Sequence, residues 1–158
     1  MEIDRSVVHS GSNSLKVVGI VATGVPSHTR LNHDLVQVEG GKTFTIAFWA
    51  KVDENEAQSR VVDINTQMES HPWPGFYKET IVLDSTDWKE YTNTFVVTAG
   101  ESERMWFGLA VAESDVDFWV DDVRFFEGGP SDEIGRDETV VSPARKLRMS
   151  WGEIKSRY

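Results

Sequence analysis

The sequence contains no cysteine, which excludes disulfide staples and thiolate metal sites and leaves the redox compartment open. Nowhere does an apolar run approach the roughly 20 residues that a membrane-spanning helix requires. The opening Met1-Glu2-Ile3-Asp4-Arg5 has neither the apolar stretch nor the flanks of a signal peptide. Neither a transmembrane segment nor a secretory leader is therefore expected in this chain. Positive charge is scarce as well: 16 Lys and Arg stand against 26 Asp and Glu, for a formal charge of −10. Such a balance argues against nucleic acid, because displacing counterions from phosphates takes clustered cations. Motifs of local chemistry are also missing. His9, His28, His33 and His71 lack the i, i+4 spacing of a zinc helix, and there is neither a Gly-x-Ser-x-Gly elbow nor a phosphate loop. Before residue 140 almost no helical period can be found.

Aromatic side chains are plentiful by contrast, with six Trp, eight Phe and three Tyr in 158 residues. Together with β-branched residues they favour strands, and the length suits one domain with a sizeable core. The chain is organised around residues 40–52, where Gly40-Gly41 leads into a strand whose alternation puts Phe44, Ile46, Phe48, Ala50 and Val52 on one face. Thr45, Ala47, Trp49 and Lys51 take the other. Residues 30–38 alternate loosely before the glycine pair, which predicts a hairpin between the two segments. In residues 61–68, Val62, Ile64, Thr66 and Met68 face one way and Val61, Asp63, Asn65 and Gln67 the other. Further strands are expected at residues 15–21, 80–83, 88–98, 105–112 and 118–126. In the last of these, Asp121 and Asp122 interrupt the alternation. About eight short strands separated by turns predict an all-β fold, a β-sandwich of two antiparallel sheets over residues 1–128.

Two segments stand apart from this pattern. Residues 70–77 place Trp73, Phe76 and Tyr77 among two prolines and a glycine, so their rings either fold back as a lid or await a flat ligand. Residues 129–141 read as a linker, and residues 142–158 as a short basic amphipathic helix with Ser142 as N-cap and a Leu147, Trp151, Ile154, Tyr158 stripe. Residues 140–158 hold five basic side chains against one acid, so the overall −10 divides into +4 there and −14 in the first 139 residues. Docking of this tail on the acidic sandwich is expected, with binding to an acidic partner or a membrane surface, or partial disorder, as the alternatives.

The outward residues of three strands supply what a sugar receptor needs, an aromatic platform beside amides and a carboxylate. Trp49 and Trp106 are the expected walls, Ala47, Gly108, Ala110 and Ala112 a shallow floor, and Asp63, Asn65 and Gln67 the hydrogen-bonding edge. This grouping requires the strands to share one sheet. Trp73 and Tyr77 are candidate loop contacts. The competing reading makes Trp49 and Trp106 a minor core under the 70–77 loop or the tail. Trp88 is expected in the core, and Trp119 faces either way. No catalytic residue is expected: glycoside hydrolysis takes two opposed carboxyl groups, and the polar strand offers one acid among amides.

Four pieces in order, His9-Ser10-Gly11-Ser12-Asn13-Ser14-Leu15-Lys16-Val17, residues 40–51, Asp87-Trp88-Lys89-Glu90-Tyr91 with Phe95, and residues 118–125 around Asp121-Asp122-Val123, resemble carbohydrate-binding modules of the family 4, 9 and 22 group. The resemblance implies a galactose-binding-like jelly roll that holds a β-glucan- or xylan-type polysaccharide or oligosaccharide without chemistry. Such modules are usually attached to a glycoside hydrolase, in an extracellular or periplasmic setting. It also implies a structural calcium, with Asp121 as the best-matched ligand, Asp122 beside it, oxygens from Ser10 to Asn13, and Asp4 standing in for a first-strand glutamate that this sequence lacks. That first strand reads as missing or divergent. The alternatives in other classes are a structural or adhesion β-sandwich with protein contacts, and a small glycan-active enzyme.

Overall fold

The computed structural model describes residues 1–33, 35–55, 58–69, 75, 77–98 and 102–133. They form ten strands: β1 (Glu2–Asp4), β2 (Ser14–Val17), β3 (Arg30–Asn32), β4 (Val36–Glu39), β5 (Thr43–Val52), β6 (Arg60–Met68), β7 (Lys78–Leu83), β8 (Lys89–Val96), β9 (Ser102–Ala110) and β10 (Phe118–Glu127). One antiparallel sheet runs β1-β2-β10-β5-β8 and the other β3-β9-β6-β7, with β4 also paired to β9. The only helical turns among the described residues are two short 3₁₀ segments. The expected C-terminal helix lies outside the described residues.

Alternation explains how the sheets close on each other. Phe44, Ile46, Phe48, Ala50 and Val52 of β5 are all buried, as are Val62, Ile64 and Met68 of β6 and Met105, Phe107 and Leu109 of β9. At roughly 25 cal/mol per Å² of apolar surface, burial of these large side chains is the main favourable contribution to folding. Phe44, Phe107 and Phe125 stack at the centre, with ring centroids 5.3 Å apart for the first and last and 4.9 Å for the second and third. Arg60, at the start of β6, is fully buried with its guanidinium 5.0 Å from the Phe118 ring centroid, donating to the Val116 and Val111 carbonyls. Its guanidinium thereby ties the loop before β10 to the sandwich.

Three expectations are corrected. The first strand is present, but it is only the three residues of β1, paired to β2 through Ile3 and Leu15. Residues 30–38 split into β3 and β4. The predicted hairpin across Gly40-Gly41 does not form: β4 pairs with β9 in one sheet, and β5 pairs with β10 and β8 in the other. Gly41, at φ 81°, instead turns the chain from one sheet to its partner. Two inward rows, Val36 and Val38 on β4 and Phe44 and Ile46 on β5, face each other across the core. A sheet-to-sheet arch buries both rows, whereas a hairpin would leave them side by side in one sheet.

The Asp121-Asp122 interruption is a β-bulge. Pairing of β10 with β5 shifts between Asp121 and Arg124, and Asp122 takes φ 49°, a conformation that aspartate tolerates better than most residues.

Candidate functional site

The two outer faces of the sandwich differ. On the sheet of β5, the outward Thr45 and Ala47 are as buried as the core. The Thr45 hydroxyl donates to the Gly128 carbonyl, and Arg124, level with Ala47, bridges Glu90 and Glu133. Trp49 lies under His9, whose ring stacks on it at 3.9 Å and meets Trp88 edge-on at 5.8 Å. Trp119 is buried too, its Nε1 donating to Asp4 Oδ2 at 2.8 Å with the Lys16 ammonium 4.5 Å from the ring centroid. The N-terminal segment and the chain after β10 therefore cover this face.

Among the described residues the outer face of the other sheet is the more exposed of the two, although its Ala110 is itself buried. Register places Asp63 beside Ala110, Asn65 beside Gly108 and Gln67 beside Trp106. On the far side of β9, Arg30 pairs with Ala110 and Asn32 with Gly108, and across β6, Thr80 pairs with Asp63 and Lys78 with Asn65. The centre of this face is therefore low, formed by Gly108 and Ala110, and its margins carry longer polar side chains. Trp106, Asn65 and Gln67 are partly buried, and Arg30, Asn32, Lys78 and Thr80 are exposed. The glycine is obligatory. A Cβ at Gly108 would stand 2.1 Å from the Leu31 carbonyl oxygen and 2.8 Å from Asn32 Oδ1. Only a residue without a side chain lets β3 approach so closely.

Asp63, although on this face, is 3% exposed. Its carboxylate accepts from the Thr80 hydroxyl at 2.6 Å and pairs with Lys78 Nζ at 3.0 Å. These partners offset the cost of burying the charge and fix the β6 margin. Arg30 reaches from β3 over β9 to donate to Gln67 Oε1 on β6 at 3.2 Å. One hydrogen bond thus crosses the low strip from margin to margin.

The structure brings Trp106, Asp63, Asn65, Gln67, Gly108 and Ala110 together as the alternation predicts. Trp49 and Ala47 are on the other sheet, facing away, so the expected two-walled groove loses one wall and part of its floor. Ala112 lies beyond the end of β9 and is buried. Tyr77 stacks on Phe95 at 5.0 Å and accepts from Asn93 Nδ2, packing along the edge of the core. Trp73 lies outside the described residues. Trp88, expected in the core, sits on the outside against His9 because it precedes β8 at a turn. Arg30, Asn32, Lys78 and Thr80 were not anticipated, although the polar-apolar-polar order Arg30-Leu31-Asn32 and the alternation from Lys78 to Leu83 carry the signal.

The residues proposed for calcium are also placed. Asp121 Oδ2 accepts the backbone N–H groups of His9 and Ser10 at 3.0 and 3.2 Å, and Oδ1 that of Asp122 at 2.8 Å. Asp4 Oδ1 accepts from the Ser6 hydroxyl and backbone N–H and from the Val7 N–H, and its Oδ2 from Trp119. These donors, the Ser6 hydroxyl foremost and then the Trp119 indole, hold the Asp4 carboxyl well below the usual carboxylate range. Asn13 Oδ1 accepts from Arg5, and Asp122 lies 3.8 Å from Arg124. Calcium takes six to eight oxygens turned toward one centre. Here the oxygens turn toward hydrogen-bond donors, and among the described residues no three acids or histidines gather around a common point. The side chains named for the ion are thus held by the protein's own donors.

Comparison with known proteins accords with this architecture. A family 4 carbohydrate-binding module superposes with a TM-score of 0.64 at 20% identity, over 80% of this chain and 78% of that one. A family 22 xylan-binding domain from Paenibacillus barcinonensis gives 0.54 at 19%, over 80% and 86%. A family 22 module joined to a GH10 module in an endo-1,4-beta-D-xylanase from Clostridium thermocellum, complexed with xylohexaose, gives 0.55 at 14%, over 80% of this chain and 24% of that one. None of the curated proteins matches. The family 4/9 model described as carbohydrate binding domain matches residues 1–115, nearly three quarters of the sequence, and so the chain belongs to that family.

Proposed function

We infer that this protein binds a β-linked polysaccharide of the glucan or xylan type on the outer face of the β3-β9-β6-β7 sheet. The observation that carries this reading is Trp106, a partly exposed indole in register with Gln67 and next to the Gly108-Ala110 strip. A pyranose has an apolar face and a rim of hydroxyls. The indole suits the face, and the amides of Asn65, Gln67 and Asn32 suit the rim, since each offers both donor and acceptor. Gly108 lets β3 pack close against β9, which sets Asn32 beside the strip at one margin. The xylan named for the family 22 neighbours is consistent with this chemistry, and the GH10-linked neighbour suggests the same role here: keeping a glycoside hydrolase near its substrate.

Binding without hydrolysis is favoured because Asp63, the acid on this strip, is tied to Thr80 and Lys78 rather than poised toward a ligand. Affinity electrophoresis of the full chain in gels containing xylan or a mixed-linkage β-glucan tests the proposal. Retardation by at least one of them, reduced at least about tenfold in association constant by Trp106→Ala, is the expected result. Unretarded migration in both gels would contradict it.

A further inference from the structure

The charges on this face differ from those of the whole chain. In a protein of formal charge −10, the described outward side chains of this sheet include Arg30, Lys78 and Arg104 against Asp63, Glu69 and Glu39. The three acids are engaged: Asp63 by Lys78, Glu69 by Arg104 through two hydrogen bonds of 2.8 and 2.6 Å, and Glu39 by Lys42 at 3.0 Å. Arg30 is the unbalanced cation. It is exposed, and among the described residues its bond is to a neutral amide oxygen, Gln67 Oε1. A guanidinium has five N–H donors in a planar fork that matches a carboxylate. Hence most of that fork remains available, directly above the strip.

We propose that the site selects glycans carrying uronic acid, with Arg30 as the residue that receives the sugar carboxylate. This inference rests on the binding reading above and refines it. A sugar carboxylate reaching this margin meets the guanidinium of Arg30 from the β3 side. Neutral glycans gain stacking and amide contacts alone, whereas an acidic glycan adds a charge-assisted pair. The acid is carried either on a branch, as in a glucuronoxylan, or in the main chain, as in a β-linked polymannuronate.

The test is titration of the full chain with glucuronoxylan and with polymannuronate, each compared with its own carboxyl-reduced form. A preference of about tenfold for at least one acidic polymer over its reduced form supports the proposal, as expected for one charged pair on a partly solvated face. Whichever polymer shows it identifies the position of the acid. The preference should fall as salt is raised from about 20 to 500 mM, because the pair is accessible to screening ions. In Arg30→Gln the ratio of acidic to neutral affinity should collapse to about one, with Arg30→Lys intermediate, and an unchanged melting temperature confirms that both variants are folded. Equal binding of acidic and reduced polymers, or a preference that survives Arg30→Gln, overturns the proposal while leaving polysaccharide binding intact. Binding of none of the four also overturns the proposal, and together with unretarded migration in the β-glucan gel it overturns polysaccharide binding as well.

Discussion

Trp49 and Trp106 occupy a similar sequence pattern, an indole with a small residue two positions away on one side and a cation two positions away on the other, yet they have opposite surroundings. Trp49 has its face taken by His9, and its neighbours Thr45 and Ala47 are sealed. Replacing Trp49 by Ala is therefore a stability experiment. Removing the stack under His9 should cost about 2–3 kcal/mol, read as a lower midpoint in urea denaturation. At Asp4 the consequence is a pH dependence. Its carboxyl titrates lower in the folded chain than in the unfolded one, so its contribution is complete above about pH 4 and is lost as pH falls through the depressed folded value. In Asp4→Asn the melting temperature should drop by about 3–6 °C at pH 7 and by much less near pH 2, measured by circular dichroism. At this scale the polar row Asp63, Asn65, Gln67 was legible in the sequence because strict alternation over eight residues admits one assignment of faces. That Asp63 is buried was not, since Thr80 and Lys78 come from a strand whose register no local pattern specifies.

At the scale of the element, the turns decide more than the strands. Gly108 was read as floor, but its stronger constraint comes from β3, whose backbone lies where a side chain would be. Gly108→Val should push β3 outward, cost about 2–3 kcal/mol in denaturant titration and weaken glycan binding at the same time. The bulge in β10 acts similarly on the N-terminal segment. Asp121 gathers the N–H groups of His9, Ser10 and Asp122, and Asp121→Ala would orphan all three, at a cost of about 3 kcal/mol. Alternation within β5, β6 and β9 was visible from the order of residues alone. Partner choice was not: Gly40-Gly41 is compatible with a tight hairpin and with an arch, and only the need to bury two inward rows against each other selects the arch.

For the whole molecule, the all-β sandwich followed from strand content, turn spacing and the ordered motifs, because those features survive any reassignment of individual pairings. Which strands share a sheet determines the site, and this depends on contacts far apart in sequence. The placement of Asp4 and Asp121 against N–H and O–H donors makes an additional whole-molecule prediction. Thermal unfolding with excess chelator should coincide with unfolding in added calcium, since a ligand of the folded state would raise the melting temperature in proportion to its binding free energy.

The central claim, that glycan is held on the β3-β9-β6-β7 face, is tested most directly by nuclear magnetic resonance during titration with xylohexaose or a β-glucan hexasaccharide. The indole N–H signal of Trp106 and the side-chain amides of Asn32, Asn65 and Gln67 should move with saturating dependence, while those of Trp49 and Trp119 stay in place. Movement of the Trp49 and Trp119 signals with Trp106 unaffected would contradict the account.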